Sequence, residues 1–374
     1  MVGKSTASKR KPGSAGDTRR ESPAEAPPAE TTAAVAAAVR DARKGQQRLL
    51  NIFSDAFAAV LAQDSFSTIL QEIKQALYHR DFATAFGSED YLEAYAARWS
   101  PTRALCYAAV FRGIKSHLDG ILVDERETAQ PHDGTQEEPG REDCTESDAS
   151  APSGRLRMLS FGGCAAEHVA FGSYLREAAC HGTLTLVDSA PWSHTETLIQ
   201  QQLTSPPPLS KYASAAARAN NKAFLRASQL QFTFSQADAL SLDRARLLEL
   251  VGTQPLVVTL MFTLNELYTD GGIGKTTKFL RLLGEVLPDA TLLLVVDSPG
   301  SYSEAAVGKE KKKYPMQWLL NHTLLGTETT GYTWEGLESE DSIWFRLPEG
   351  LDYPIQLENM RYQMHLYRIH KPKS

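Results

Sequence analysis

Cysteine is scarce in this 374-residue chain, and its four copies, Cys106, Cys144, Cys164 and Cys180, form no C-x-x-C pair. Neither a thiolate zinc cluster nor a disulfide framework is indicated, and a reducing intracellular compartment is expected. Long hydrophobic runs are missing as well. The longest, LVVTLMFTL from Leu256 to Leu264, is about half of what a membrane-spanning helix needs. The first twenty residues contain no apolar stretch of the kind a secretory signal carries, so a soluble chain is expected. Basic residues are not in excess: 39 Lys and Arg stand against 45 Asp and Glu, a net charge of -6. That balance argues against a surface that attracts nucleic acid or an anionic membrane everywhere. No internal repeat is visible.

The charge is unevenly placed. Residues 124 to 148 carry ten acids and two bases with no large apolar side chain, as expected of a disordered acidic linker, here bounded at 124–154. Without its -8 the chain sums to +2. Residues 1–33 read as a disordered basic arm in which Lys9, Arg10, Lys11, Arg19 and Arg20 form either a nuclear or nucleolar address, a nucleic-acid tether or a solubilising tail. Between them, residues 34–123 have apolar side chains at spacings of three and four: Leu49, Leu50, Ile52, Phe53, Phe57 and Leu61, then Ile69, Leu70, Ile73 and Leu77. Three to five helices are expected there, with Ser65 and Asp90 at N-cap positions and Pro101 near the first turn of the helix ALCYAAVFRGI.

From residue 155 to 374 short β-rich runs alternate with helical stretches. The expected strands are 156–161, 183–188, 230–235, 256–262, 291–297, 342–347 and 360–369. The first five are almost continuously apolar, as strands of a parallel sheet covered on both faces are, and the last two read as an antiparallel pair. The pattern implies a doubly wound α/β sheet behind an N-terminal helical region.

In such a sheet ligands bind beyond the C-terminal strand ends, where strand order reverses. The first strand leads into Gly162-Gly163-Cys164-Ala165-Ala166-Glu167, a turn that brings backbone close to a ligand at a helix N-terminus. The dinucleotide pattern G-x-G-x-x-G fails there; a Gly-rich turn with an acid at its end is the shape of an S-adenosylmethionine loop. In that reading Glu167 holds the ammonium end of the methionine moiety. Asp188, ending the second strand, is placed to accept both ribose hydroxyls, although Asp188 and Ser189 also qualify as a helix cap. Asp238, after the third strand, is placed to accept from an adenine amino group. GGIGKTT at Gly271 to Thr277 resembles a P-loop but has Thr269 where the first glycine is required, so Lys275 and Lys278 read as exposed residues at a helix start.

After the fourth strand stands Phe262-Thr263-Leu264-Asn265-Glu266, without the [D/N]-P-P-[Y/F/W] of enzymes that methylate exocyclic amines. No cysteine follows the fourth or fifth strand to serve as the nucleophile that pyrimidine C5 methylation uses. A ring nitrogen or oxygen acceptor is therefore expected, with Asn265 and Glu266 orienting or deprotonating it; capping of the next helix is their alternative. From Lys211 to Arg226 an insertion carries Lys211, Arg218, Lys222 and Arg226 with no acid. As one helix it would align Arg218, Lys222 and Arg226 beside Tyr212, a face suited to phosphates and a stacked base, or simply to solvent.

Taken together, LSFGGCAAEHVAF, LVDSAPW, PPLSKYASAAARANNKAFL, LVVTLMFTLNELYT, KTTKFL, VVDSPGSYSE and KYPMQWLLNHTLL, with RWSPTRALCY in the helical region, resemble the fungal large-subunit (25S) rRNA uridine-N3 methyltransferases over about residues 45–370. The resemblance implies a seven-stranded Rossmann-like methyltransferase sheet, S-adenosylmethionine as cofactor, no metal, and ribosomal RNA or a pre-ribosomal particle as partner. It implies work in the nucleus or nucleolus and the cytoplasm, and no membrane. Carried over residue by residue, Gly162, Gly163, Cys164, Glu167, Asp188 and Asp238, with Phe262 at the edge, would line the cofactor site. The stretch Phe262 to Glu266, with Ser298, Pro299 and Gly300, would face an extruded uridine, and Lys211, Tyr212, Arg218 and Lys222 would meet RNA. Cys164 departs from the family fold, which often has glycine there. A methyltransferase-fold assembly factor that binds RNA without catalysis is the competing expectation, and a nucleotide hydrolase a distant third.

Overall fold

The computed structural model describes residues 29–123, 154–163, 165–300, 302–307, 310–326 and 329–372. Most of the expected basic arm, the acidic linker, Cys144, Cys164 and Ser301 lie outside the described residues. Residues Arg43–Ser374 form one compact unit; the stretch up to Ala42 is a separate one, described from Ala29 as the beginning of helix α1, Ala29–Ala56.

The helical region continues with α2 (Ala58–Leu61), α3 (Phe66–Tyr78), α4 (Phe82–Ala85), α5 (Glu89–Gly113) and α6 (Lys115–Asp119). Two expected caps differ. Ser65 does sit at the start of α3, but its side chain makes no cap hydrogen bond. Ser88, rather than Asp90, caps α5, its Oγ accepting from the Tyr91 N–H at 3.3 Å. Pro101 also departs from expectation, standing in the middle of α5. A proline there has no N–H for the carbonyl four residues back, that of Ala97. The Tyr353 hydroxyl donates to that oxygen at 2.7 Å, so the uninterrupted helix leaves no orphaned acceptor.

The sheet has the strands β1 (Arg155–Phe161), β2 (His181–Asp188), β3 (Leu230–Gln236), β4 (Val257–Met261) and β5 (Leu292–Asp297) in parallel. A separate hairpin, β6 (Tyr302–Val307) and β7 (Glu310–Pro315), precedes β8 (Thr333–Phe345) and β9 (Met360–His370). The order is β3-β2-β1-β4-β5-β9-β8, with β9 antiparallel to β5 and to β8. The chain winds outward from β1 to β3, then returns to β4 on the other side of β1, so the order reverses between β1 and β4.

Two apolar layers explain why the parallel strands read as unbroken hydrophobic runs. Alternate residues point to opposite faces: Leu292, Leu294 and Val296 of β5 join one core, while Leu293 and Val295 join the other. The first core also takes Phe53, Phe57, Leu92, Leu105 and Phe111 from the N-terminal helices, together with α7 (Ala165–Ala178) and α8 (Ser193–Thr204). The second is closed by α10 (Arg244–Val251), α11 (Leu264–Asp270), α12 (Gly272–Val286) and α13 (Met316–Leu324). Between α8 and α10 the helix α9 covers only Ala215–Ala219. The expected basic helix reaching Arg226 is therefore not formed: Asn221 donates its side-chain amide to the Pro207 carbonyl at 2.8 Å instead of extending the helix, and Lys222 and Arg226 fall beyond its end.

Candidate active site

A cleft of about 660 Å³ opens at the C-terminal ends of β1, β2, β3 and β4. One wall is built from Gly162, Val187, Asp188, Ala237, Asp238, Met261, Phe262 and Thr263 at those strand ends; the other brings Phe82, Phe86, Tyr95 and Arg103 from the N-terminal helices.

The turn after β1 explains its glycine. Gly162 has φ +72°, and a Cβ there would lie 2.1 Å from Thr263 Oγ1. Thr263 in turn donates its hydroxyl among the carbonyls of Phe161, Gly162 and Met261 at 3.1 to 3.3 Å, tying the β1 and β4 ends together at the point of reversal. Gly163 is buried against Leu186. Glu167 lies in the first turn of α7, only 1% exposed, and does not line the cleft.

Asp188 faces the cleft from the end of β2, with the Ala190 N–H donating to its Oδ1 at 2.7 Å and the Trp192 side chain adding a second hydrogen bond. Burial outweighs these donors and, with Glu196 nearby, pushes its pKa up to about 7. Asp238 is exposed on the cleft wall and caps the 3-10 turn Ala239–Ser241, accepting from the Leu240 N–H at 2.9 Å and the Ser241 hydroxyl at 2.6 Å. A carboxylate has about four lone-pair sites, so both acids keep acceptor capacity for a ligand.

At the end of β4, Phe262 adopts φ +59° while its N–H donates to the Val296 carbonyl at 2.7 Å. Such a backbone costs about 1–3 kcal/mol for a bulky residue and persists where surroundings enforce it, often at functional sites. The bend turns the chain into α11, whose first turn carries Asn265 and Glu266. Glu266 lines the cleft; Asn265 does not. The Asn265 N–H donates to Asp297 at 3.0 Å, and its own Oδ1 is buried without a hydrogen-bond partner. Burial, with Asp188, Asp297 and Asp270 around it, lifts Glu266 to about 8 against the opposing pull of Arg103. Asp297, 2% exposed, is raised to about 6 by burial although Asn265 and Ser298 N–H groups donate to it.

Arg103 stands opposite, its guanidinium donating to the Tyr95 hydroxyl at 2.6 Å and stacked over the rings of Phe262 at 4.8 Å and Tyr95 at 5.4 Å. Sequence reading did not place Arg103, Tyr95, Phe86 or Trp192 at the site. The phrases RWSPTR and LVDSAPW surround two of them, but nothing in local spacing aims a residue of α5 across to β4.

The remaining expected residues lie elsewhere. Ser298, Pro299 and Gly300 follow β5 outside the cleft, the Ser298 carbonyl accepting from Gln363 at 2.7 Å. Lys211 lies over the Tyr212 ring at 4.9 Å, Tyr212 is largely exposed, and Arg218 donates back to the Lys211 carbonyl at 3.1 Å; these three and Lys222 are all outside the cleft lining. Lys275 and Lys278 are exposed in the first turns of α12, with Lys275 reaching the cleft rim. Among the described residues no group of three or more His, Cys, Asp or Glu is arranged to hold a metal, and no helix is long and apolar enough to cross a membrane. Cys106 and Cys180 are buried free thiols pushed up to about 12 and about 11 by burial, unsuited to act as nucleophiles at neutral pH.

A parallel sheet reversing between β1 and β4, with a glycine turn and two acids at successive strand ends, defines a nucleoside-cofactor fold. The SAM-dependent methyltransferase family matches residues 53–368, and the chain belongs to that family. Its cofactor is S-adenosylmethionine. The chain is 32% identical over 304 residues, 80% of its own length and 76% of the relative's, to a Saccharomyces cerevisiae protein named 25S rRNA (uridine(2843)-N(3))-methyltransferase. Solved structures that resemble it include the N-methyltransferase NodS of Bradyrhizobium japonicum with S-adenosyl-l-homocysteine, at 11% identity, covering 58% of this chain and 79% of that one with a TM-score of 0.29. Another is an O-methyltransferase family protein of Burkholderia thailandensis at 11% identity, covering 83% and 71% with a TM-score of 0.34.

The residues present suit that cofactor. The cleft is of a size that encloses a ligand of this class, and it presents carboxylate acceptors, Asp188 and Asp238, to the ligand's hydroxyl and amino donors.

Proposed function

We propose that this protein methylates N3 of a uridine in large-subunit (25S) rRNA during ribosome assembly. The observation that carries the reading is the cleft itself, in which the acids Asp188 and Asp238 share one cavity with Glu266 of the first turn of α11. The identity to the yeast enzyme supports the choice of acceptor.

The cofactor supplies an electrophilic methyl group on a sulfonium. Asp188 would accept hydrogen bonds from the ribose hydroxyls, Asp238 from the adenine amino group, and the Gly162 turn would let the backbone approach. Uridine N3 lies on the Watson–Crick edge, so the base enters the cleft unpaired or extruded from its helix. The N3–H proton must leave, and Glu266 in its ionised form is the acceptor in reach of the acceptor end of the cleft. Its raised pKa, about 8, makes it a stronger base than an ordinary carboxylate. With Lys211, Tyr212, Arg218 and Lys222 outside the cleft, their part would be to hold RNA flanking the target. The basic arm supports a nuclear or nucleolar address, with a cytoplasmic pool as well.

Pure protein incubated with labelled S-adenosylmethionine and rRNA from a strain lacking the corresponding enzyme should yield 3-methyluridine in nucleoside mass spectrometry. Cofactor binding without any transfer would favour the non-catalytic assembly factor instead.

A further inference from the structure

We propose that Arg103, from the N-terminal helix α5, binds the uracil carbonyl edge and takes up the negative charge that appears on the base when N3 loses its proton. The inference rests on the uridine-N3 reading above and assigns the residue that makes this acceptor reactive.

The placement is specific. Arg103 and Lys275 are the two cations among the described residues lining the cleft, and Lys275 is exposed at its rim. Arg103 is half-buried, and its guanidinium is held by the Tyr95 hydroxyl at 2.6 Å and by the rings of Tyr95 and Phe262. Phe262 is the strained residue at the β4 end, immediately before the turn that carries Glu266. The guanidinium is thus fixed beside the candidate base rather than swinging in solvent, and its planar fork suits an oxygen acceptor. Its charge already acts on Glu266 and Asp297.

The chemistry needs such a cation. The proton on N3 passes to the Glu266 carboxylate, leaving an electron pair on N3 whose negative charge spreads onto O2 and O4. That pair forms the new N–C bond to the methyl group while the C–S bond breaks, its electrons going to sulfur and leaving a neutral thioether. During proton transfer one negative charge leaves Glu266 and one appears on the uracil. The negative charge next to Arg103 therefore keeps the same total before and after, moved from the Glu266 carboxylate to the base. A cation fixed in a partly desolvated cleft stabilises that anion far more than water does, with no reorganisation during reaction.

The test uses the full chain with Arg103→Gln and Arg103→Lys, an rRNA oligonucleotide bearing the target uridine, and the same oligonucleotide with 5-fluorouridine, whose N3–H is more acidic. Single-turnover methylation is followed across pH, and S-adenosylhomocysteine binding is measured by calorimetry. We expect Arg103→Gln to lose roughly 10²-fold in rate on uridine, with its pH-rate limb displaced to higher pH. The 5-fluorouridine substrate should recover about ten-fold or more of that loss, and S-adenosylhomocysteine affinity should stay within about three-fold. Arg103→Lys keeps the charge but not the fork, so it should show a smaller loss in the same direction, and it carries the test if the glutamine variant fails to fold. A weakening of S-adenosylhomocysteine binding beyond about ten-fold would assign the guanidinium to the methionine carboxylate and overturn the proposal. So would equal losses on both oligonucleotides with an unmoved pH limb, the mark of a structural role. Failure of the uridine-N3 reading itself looks different: wild-type protein would then make no 3-methyluridine on either substrate.

Discussion

Three acids govern how the site responds to pH. Asp188, Glu266 and Asp297 sit at about 7, 8 and 6, each raised chiefly by burial, whereas in the unfolded chain they titrate near 4. A raised folded pKa favours the protonated native state, so the stabilisation is complete below about pH 4 and is lost as pH climbs through 6 to 8. Ligand-free protein should therefore melt at progressively lower temperature between about pH 5 and 8.5, and Glu266→Gln should flatten the upper part of that decline in a thermal scan. Cofactor binding has the opposite sign. Ribose hydroxyls donate to an ionised carboxylate, so S-adenosylhomocysteine affinity should rise with pH through about 7, with a proton released on binding. Asp188→Asn should abolish that dependence and weaken binding by about 1.5–3 kcal/mol, roughly 10- to 100-fold, as expected for lost hydrogen bonds to a charged group. Calorimetry in buffers of different ionisation enthalpy checks both statements. The acids at 188 and 238 were legible in the sequence because each ends an apolar run and strand ends converge in this fold. The burial of Asp188, which sets its pH behaviour, was not, since it depends on helices distant in sequence.

Among the elements, α5 shows most plainly what local pattern conceals. Pro101 reads as a helix start because proline is tolerated in a first turn, yet α5 runs from Glu89 to Gly113 through it. What permits this is the Tyr353 hydroxyl on the Ala97 carbonyl, from a residue 256 positions away. Tyr353→Phe leaves that buried carbonyl unsatisfied and should cost about 1–3 kcal/mol in urea unfolding, whereas an exposed tyrosine such as Tyr212, 83% exposed, should tolerate the same change with almost none. The β8 strand presents the converse case. Only its C-terminal end was expected, since Thr333 to Asp341 reads as polar and acidic; pairing with β9 from Thr333 to Phe345 extends it. The hairpin β6 and β7 was missed for the same reason, its EKKKY run carrying no apolar alternation. The basic insertion went the other way, where composition suggested a long helix and Asn220-Asn221 end it after five residues.

At the scale of the whole molecule, the helical region and the sheet share one apolar core. Leu92, Leu105 and Phe111 of α5 pack in the same cluster as Leu156 and Met158 of β1 and Val169 of α7. Arg112 adds a two-pronged ion pair to Glu177 of α7, and Val123 bridges to Arg155. A chain beginning at Gly154 would expose that face and lose Tyr95 and Arg103 from the cleft. It should be insoluble or fail to melt cooperatively, as circular dichroism would show, and should neither bind S-adenosylhomocysteine nor transfer methyl groups.

The sequence by itself determined the parallel strands, the acids at the strand ends, the glycine turn and the family, because each is written in a few adjacent residues whose periodicity or chemistry is local. Net charge is also local bookkeeping: the net negative charge lies in one linker, which leaves the remainder near neutral. Only the tertiary structure decided that Arg103 and the aromatic residues of the N-terminal helices complete the cleft. It likewise decided that Ser298 to Gly300 and the basic insertion stand outside it. The physical reason is that the cleft is closed by packing a helix face across the sheet's reversal point. Which side chains that brings within a few ångströms depends on the fit of two surfaces far apart in the chain, a fit that no local pattern encodes.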